Sequence, residues 1–280
     1  MKKYLFVALL AAGIFSGCSK SESPDETPNN QGLLIKKTYQ PYKYGELDPS
    51  SKDWESLKYN YNNQLIEENI RFNYDYDQQI NYLYTNKYSY NDDGSLKEKA
   101  ESGKTTNYVY RYFYENKKLI RYETWKSTGL VDKYTYSYKN NRIDTETNYS
   151  TFTEPFYEYK YEYNDKGLLV KKSSRSLKET SPNRYDFYEY DSHGNITLES
   201  YQNLKTMDKP SVINKYSYIY DNNGRIKIKE RLFGFNTSDG LLIEYEYNND
   251  GTVKKEFVKK KDYNSSYINW MVITYQYLKI

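Results

Sequence analysis

Cys18 is the chain's only cysteine and His193 its only histidine, so the chemistry open to this sequence is narrow. A lone thiol has no intramolecular disulfide partner, and a lone imidazole lacks the companion ligands that hold a metal. His193 stands inside Asp191-Ser192-His193-Gly194 and reads as a turn residue. Tips such as Asn91-Asp92-Asp93-Gly94 are rich in oxygen acceptors but lack the acidic spacing and distal Glu of a calcium loop, so turn formation explains them. No Cys/His cluster, nucleophile elbow, P-loop or dinucleotide fingerprint is present. With 38 acidic residues, carboxylate pairs fit for glycoside chemistry arise by chance and single out no site. The sequence therefore assigns no catalytic, cofactor or metal residue. Aromatic surface is what remains: 38 tyrosines, with Trp54, Trp125 and Trp270 as the first candidate ligand contacts.

The elements that must position these groups begin with a leader. Lys2 and Lys3 precede an apolar run from Leu5 to Phe15, too short for the roughly 20 residues of a spanning helix and closed by small residues before Cys18. Residues 1–17 thus read as a secretory signal. The stretch Phe15-Ser16-Gly17-Cys18 resembles the lipobox of bacterial lipoproteins, with Phe15 where that family usually has Leu. The resemblance implies acylation of Cys18 and cleavage before it. One acyl chain binds membranes only marginally, and members of that family typically carry several. Residues 18–32 are polar, without an aromatic, and cannot offset the entropy of ordering, so they read as a flexible tether. Their acidic Glu22, Asp25 and Glu26 resemble the export signals of Bacteroidetes surface lipoproteins, which implies an outer-membrane lipoprotein exposed on the cell surface.

Mean hydropathy is −1.04, a value usually associated with disorder. Tyrosine resolves the contradiction, because its large apolar ring buries area while its hydroxyl scores as hydrophilic. Without residues 1–17 the chain carries 39 basic and 38 acidic side chains, a balance that gives nucleic acid no electrostatic footprint.

One internal repeat organises residues 33–280: Tyr-x-Tyr, Asn or Asp, polar residues, Gly, one residue, then an aliphatic. Its clearest copies are Tyr88 to Leu96, Tyr161 to Leu169, Tyr188 to Ile196, Tyr218 to Ile226 and Tyr245 to Val253, with shorter ones from Tyr59, Tyr112 and Tyr136. The starts recur every 24 to 30 residues, which suits a β-hairpin whose Asn/Asp/Gly tip supplies positive φ. Alternation at Tyr157, Tyr159, Tyr161 and Tyr163, interleaved with Glu158, Lys160 and Glu162, sends rings to one face and charges to the other. In-register return strands are expected to add Ile, Leu and Val to the tyrosine face, leaving a Lys/Glu lattice opposite. Gly32 to Lys37 echoes the return half of a repeat and Tyr275 to Tyr277 is a final half-copy, so the domain begins and ends on half a unit. The expected fold is all-β: an elongated antiparallel meander of about eight hairpins plus a closing strand, curved or partly closed, with two edges to protect.

The motif resembles the Tyr-Asp (YD) or RHS-type repeats, most closely at Tyr188 to Ile196 and Tyr218 to Ile226, and the match spans most of residues 59–277. In long relatives such repeats build a β-sheet shell around a toxin. This chain is far shorter and ends in a repeat strand, so encapsulation is not expected of it. The combined reading is a non-enzymatic envelope lipoprotein that contacts the membrane through its lipid anchor, needs no cofactor and binds no nucleic acid. Its tyrosine-rich surface would bind a glycan or a protein. The alternatives are a structural spacer without a specific ligand and, more remotely, a glycoside-active enzyme.

Overall fold

The computed structural model describes residues 33–43, 46–48, 53–60, 62–72, 82–103, 107–149, 154–234, 239–261 and 266–278. The leader, Cys18 and the tether lie outside the described residues. β1 spans Leu33–Lys43, and the short β2 (Glu46–Leu47) folds back on its end. Eight strand pairs follow: β3 (Asp53–Tyr59) with β4 (Leu65–Phe72), β5 (Tyr82–Tyr90) with β6 (Leu96–Ser102), β7 (Asn107–Glu115) with β8 (Lys118–Lys126), β9 (Gly129–Lys139) with β10 (Arg142–Asn148), β11 (Tyr157–Tyr163) with β12 (Leu169–Ser176), β13 (Arg184–Tyr190) with β14 (Ile196–Asn203), β15 (Ser211–Tyr220) with β16 (Ile226–Phe233), and β17 (Gly240–Tyr247) with β18 (Val253–Lys261). β19 (Tyr267–Leu278) completes the order. All pairings are antiparallel, each strand from β3 to β19 joining the next.

The expected open or partly closed meander is overturned at β1. That strand pairs with β3 on one side, Lys37 opposite Glu55, and with β19 on the other, Lys37 opposite Tyr275. The sheet is therefore a closed barrel of 18 antiparallel strands, with β2 outside the ring. The half-units at the two ends each present an unpaired edge, and pairing them with each other removes both.

Local chemistry explains the tips. In the β15–β16 hairpin the Asp221 Oδ1 accepts the backbone N–H groups of Asn223 and Arg225, both at 2.9 Å, and the turn closes where Gly224 N–H donates to Asp221 O at 3.0 Å. Gly224 sits at φ 74°, in the left-handed region that a side chain disfavours. Asn63 takes the same role at φ 60°, while Asn116-Lys117 and Asn140-Asn141 form two-residue turns with both residues at positive φ.

A β-bulge follows almost every tip. In β15–β16, Tyr220 opposes Ile226, then Ile219 opposes Ile228 and Tyr218 opposes Lys229. The extra residue reverses the parity of the return strand. Ile228 joins Ile219 on the face opposite the tyrosines, and Lys229 arrives beside Tyr218. The expected aliphatic rows beside the tyrosines are thus replaced by charged and polar residues such as Glu68, Lys99, Glu146, Lys172, Glu199 and Glu256.

The bulge also explains why the motif needs tyrosine. It interrupts the ladder and leaves the carbonyl of the aliphatic residue, or of its neighbour in the hairpin, in want of a donor. A phenol from a following repeat fills the gap: Tyr90 donates to Leu65 O at 2.7 Å, Tyr190 to Leu169 O at 2.7 Å and Tyr247 to Ile226 O at 2.6 Å. Tyr247→Phe keeps the ring and deletes this bond, so a loss of about 1 kcal/mol is expected in urea unfolding. An unchanged midpoint would mean that water replaces the phenol without penalty.

Candidate functional site

A closed sheet turns one face inward, where side chains converge, and one outward, where they spread. The buried strand residues identify the two faces. Among the described residues, Tyr39, Asp53, Glu55, Asn86, Thr124, Asn148, Ser174, Ser211, Asn214, Leu241 and Val258 all share the tyrosine face, whereas only Ser173, Ser200 and Val272 belong to the other. Two concavities are lined by residues of the tyrosine face too. It is the inner wall. Rings of 16 to 18 strands are wide enough to enclose a water-filled channel rather than a packed core.

On that wall, glutamates of the return strands hold phenols of neighbouring strands. Tyr88 donates to Glu68 at 2.9 Å, Tyr161 to Glu146 at 3.0 Å, Tyr216 to Glu199 at 3.1 Å and Tyr275 to Glu256 at 2.8 Å. Burial first, then the adjacent carboxylate, pushes each of these four phenols well above the usual tyrosine range. Burial likewise raises the Glu256 carboxyl, against the opposing pull of the Tyr275 hydroxyl, Lys37 and Lys229.

The first concavity, of about 540 Å³, lies over β7–β10 and is lined by Tyr110, Tyr112, Leu119, Tyr122, Thr124, Asp132, Tyr134, Tyr136 and Glu146. Register lines up Tyr112, Tyr122 and Tyr134 on successive strands. Their ring centroids are 5.2 and 5.7 Å apart, and Tyr110 lies nearly parallel to Tyr122 at 6.1 Å and 7°. Three hydroxyls, those of Tyr112, Tyr134 and Tyr136, and the Asp132 carboxylate make no hydrogen bond among the described residues. Aromatic platforms bordered by open donors and acceptors suit a ligand with apolar ring faces and equatorial hydroxyls.

The second concavity, of about 450 Å³, lies over β11–β14 and is lined by Tyr157, Tyr159, Lys172, Ser174, Asn183, Arg184, Asp186, Asn203 and Lys205. Asn183 donates to the Tyr157 hydroxyl at 3.1 Å, and the Lys172 ammonium stands 4.1 Å from the Tyr159 ring centroid.

The residues singled out from the sequence lie elsewhere. Trp54 and Trp125 face outward, opposite Arg71 and Val109 respectively; Trp125 donates to Glu123 at 3.0 Å beneath the Arg111 guanidinium. Trp270 sits at the bulge between β18 and β19. None of the three lines either concavity. His193 stacks on Tyr220 at the β13–β14 tip, with centroids 4.0 Å apart. Among the described residues no group of three His, Cys, Asp or Glu is placed to hold a metal. The inner-wall clefts escaped sequence reasoning because they depend on which tyrosines become cross-strand neighbours, although the dense run Tyr108, Tyr110, Tyr112 and Tyr114 was a usable signal.

The outer wall carries ion pairs, including Arg111 with Glu98 at 3.2 Å, Lys171 with Glu162 at 2.9 Å and Arg175 with Glu158 at 2.9 Å. Neither face of the sheet is therefore apolar along its strands.

No family model matches the chain, and no curated protein is similar to it in sequence. Among solved structures it is similar to a porin-like protein from Bacteroides uniformis, at 11% identity and a TM-score of 0.48, covering 88% of this chain and 98% of that one. A porin-like protein from Bacteroides vulgatus gives 11% identity and a TM-score of 0.37, covering 89% and 100%. A TcdB2-TccC3-TEV structure gives 9% identity and a TM-score of 0.22, covering 77% of this chain and 17% of that one. At these scores the likenesses assign neither ancestry nor activity.

Proposed function

We propose that this chain is a non-enzymatic cell-envelope protein, tethered through an acylated Cys18, whose barrel binds a glycan on its tyrosine-lined inner wall. The observation that carries this reading is the β7–β10 cleft, where closely spaced rings, Tyr110 stacked on Tyr122 with Tyr112 and Tyr134 tilted beside it, adjoin three phenols and a carboxylate free to bond a ligand. A folded protein partner fits it poorly, because the wall is reached only through the barrel's mouths.

Binding to an array of neutral oligosaccharides tests the reading. The chain from Ser19 onward, which contains every strand of the ring, is expected to give a saturable hit that Tyr134→Ala weakens by about 1–3 kcal/mol. Silence across the array would favour the structural spacer, a reading supported by the many phenols already committed to Glu and backbone partners. The enzyme reading has less support. Asp132 and Glu146 both line the cleft, but Glu146 opposes Tyr136, four residues along β9 from Asp132. The two backbones are thus about 14 Å apart along the strand. Paired carboxylates of a glycosidase stand about 5–9.5 Å apart, and the Glu146 carboxylate is held toward β11 by Tyr161.

The barrel itself stands in water in this reading. No helix among the described residues is long and apolar enough to cross a membrane, which leaves only the strands as candidates. A lipid-facing strand wall carries an apolar band, and a Lys or Arg at its midplane costs about 2–4 kcal/mol. Lys160 and Arg111 face outward at mid-strand, with Lys171 on the same face, while Glu68, Lys99 and Glu146 face inward, so either side would bring several such charges into lipid. The chain from Ser19 is accordingly expected to stay monodisperse without detergent and to remain behind when liposomes are floated. Detergent-dependent solubility with co-flotation would establish an embedded barrel instead.

A further inference from the structure

The two inner-wall concavities are neighbours of opposite electrostatic character, and from this we infer that the ligand carries a sugar carboxylate, held by Lys172, beside neutral rings stacked on the β7–β9 tyrosines. The inference rests on the glycan reading and adds the ligand's charge and orientation. Register makes the surface continuous: Tyr112, Tyr122, Tyr134, Asn148 and Tyr157 form one row across β7 to β11, so the row leaves the first concavity and enters the second. Tyr134's row meets β12 at Ser176, four residues from Lys172, so three strands at about 4.8 Å and four residues at about 3.4 Å put Tyr134 and Lys172 about 20 Å apart over the wall, the span of a short oligosaccharide.

Along this row the charge changes sign. The first concavity holds Asp132 and Glu146 and no cation in its lining, which disfavours an acid group there. In the second, Lys172, Arg184 and Lys205 face the single carboxylate Asp186. Arg184 is engaged by Asp186 through both Nε and Nη2, and Lys205 by Glu179. Lys172 is different. Its ammonium rests on the faces of Tyr159 and Tyr161, 4.1 and 5.3 Å from their centroids, with no carboxylate in ion-pair range among the described residues. The rings orient the cation without neutralising it, so its charge is left for a ligand. An acid on every sugar would meet Asp132 and Glu146, whereas a single terminal acid meets Lys172, whose cross-strand neighbour Asp186 is already held by Arg184.

Calorimetric titration of the chain from Ser19 with lacto-N-tetraose, and with the same sugar ending in sialic acid, tests this directly. The sialylated sugar is expected to bind about tenfold tighter at low salt, with the advantage shrinking as salt rises. Lys172→Gln should abolish the difference while sparing the neutral sugar, and Tyr134→Ala should weaken both. Equal affinities, or an advantage that survives Lys172→Gln, would overturn the inference and leave the tyrosine cleft standing. Binding of neither sugar would remove the glycan reading and this inference together. Circular dichroism of both variants separates loss of contact from loss of fold.

Discussion

Raising the pH through 10 is expected to unfold this barrel cooperatively, with a midpoint between about 10 and 12. Burial, the largest cause for each, pushes Tyr134, Tyr188 and Tyr218 up to about 12, and drives Tyr39, Tyr88, Tyr136, Tyr161, Tyr245 and Tyr275 above the usual range as well. The unfolded chain ionises its tyrosines near 10, so above that pH the native state holds protons that the unfolded state has released. Stability is thus fully present below 10 and falls as pH rises. Each tyrosine that ionises only on unfolding contributes about 1.4 kcal/mol per pH unit, and the partial exposure of most rings reduces this. At half that value, the last six named above remove about 4 kcal/mol per unit, against a typical total of about 5–15 kcal/mol. Phenolate absorbance should therefore jump together with the loss of β-sheet dichroism. Gradual ionisation from pH 10 with dichroism intact to pH 12 would show that the inner-wall phenols are freely solvated.

The second large effect is expected at the seam that closes the ring. Glu55 is 2% exposed; the Lys37 ammonium donates to both its oxygens, at 2.9 and 3.0 Å, and the Tyr39 hydroxyl donates at 2.9 Å. These groups bridge β1 and β3, the pairing that makes the sheet a barrel. Glu55→Ala strands the Lys37 charge and should cost about 3–5 kcal/mol, lowering Tm by on the order of 10 °C. It should also promote aggregation, since release of β1 exposes the edges of β3 and β19. Pairing it with Lys37→Met should recover part of the loss, because no unpartnered charge then remains. A double variant no more stable than Glu55→Ala would show that the cost comes from lost packing rather than from the stranded ammonium.

Both predictions bear on how the wall is stabilised. Among the described residues only Tyr39, Leu241, Val258 and Val272 are buried hydrophobics, so there is no conventional core. Packing comes from tyrosine rows whose hydroxyls are satisfied by carboxylates and bulge carbonyls. The same groups that hold the fold also line the proposed site. Tyr161 donates to Glu146, which lines the β7–β10 cleft, so substitutions there must separate stability from binding.

The chain's local pattern determined that the domain is all-β, where its tips turn and that its tyrosines share a face. These features are set by nearest neighbours along the chain: alternation with period two, Asx acceptors such as Asp221, and positive-φ positions such as Gly224. Tertiary structure alone decided the rest. Closure depends on whether the edges of β1 and β19 meet after 18 strands of accumulated twist, a sum over the whole sheet that no single repeat encodes. The parity of the return strands turned on one extra residue per bulge, which moved Ile228 outward and Lys229 inward. The opposed charges of the two concavities likewise arise only when Asp132 on β9 and Lys172 on β12 come to share one inner wall, because cross-strand register, not sequence spacing, decides which side chains face each concavity.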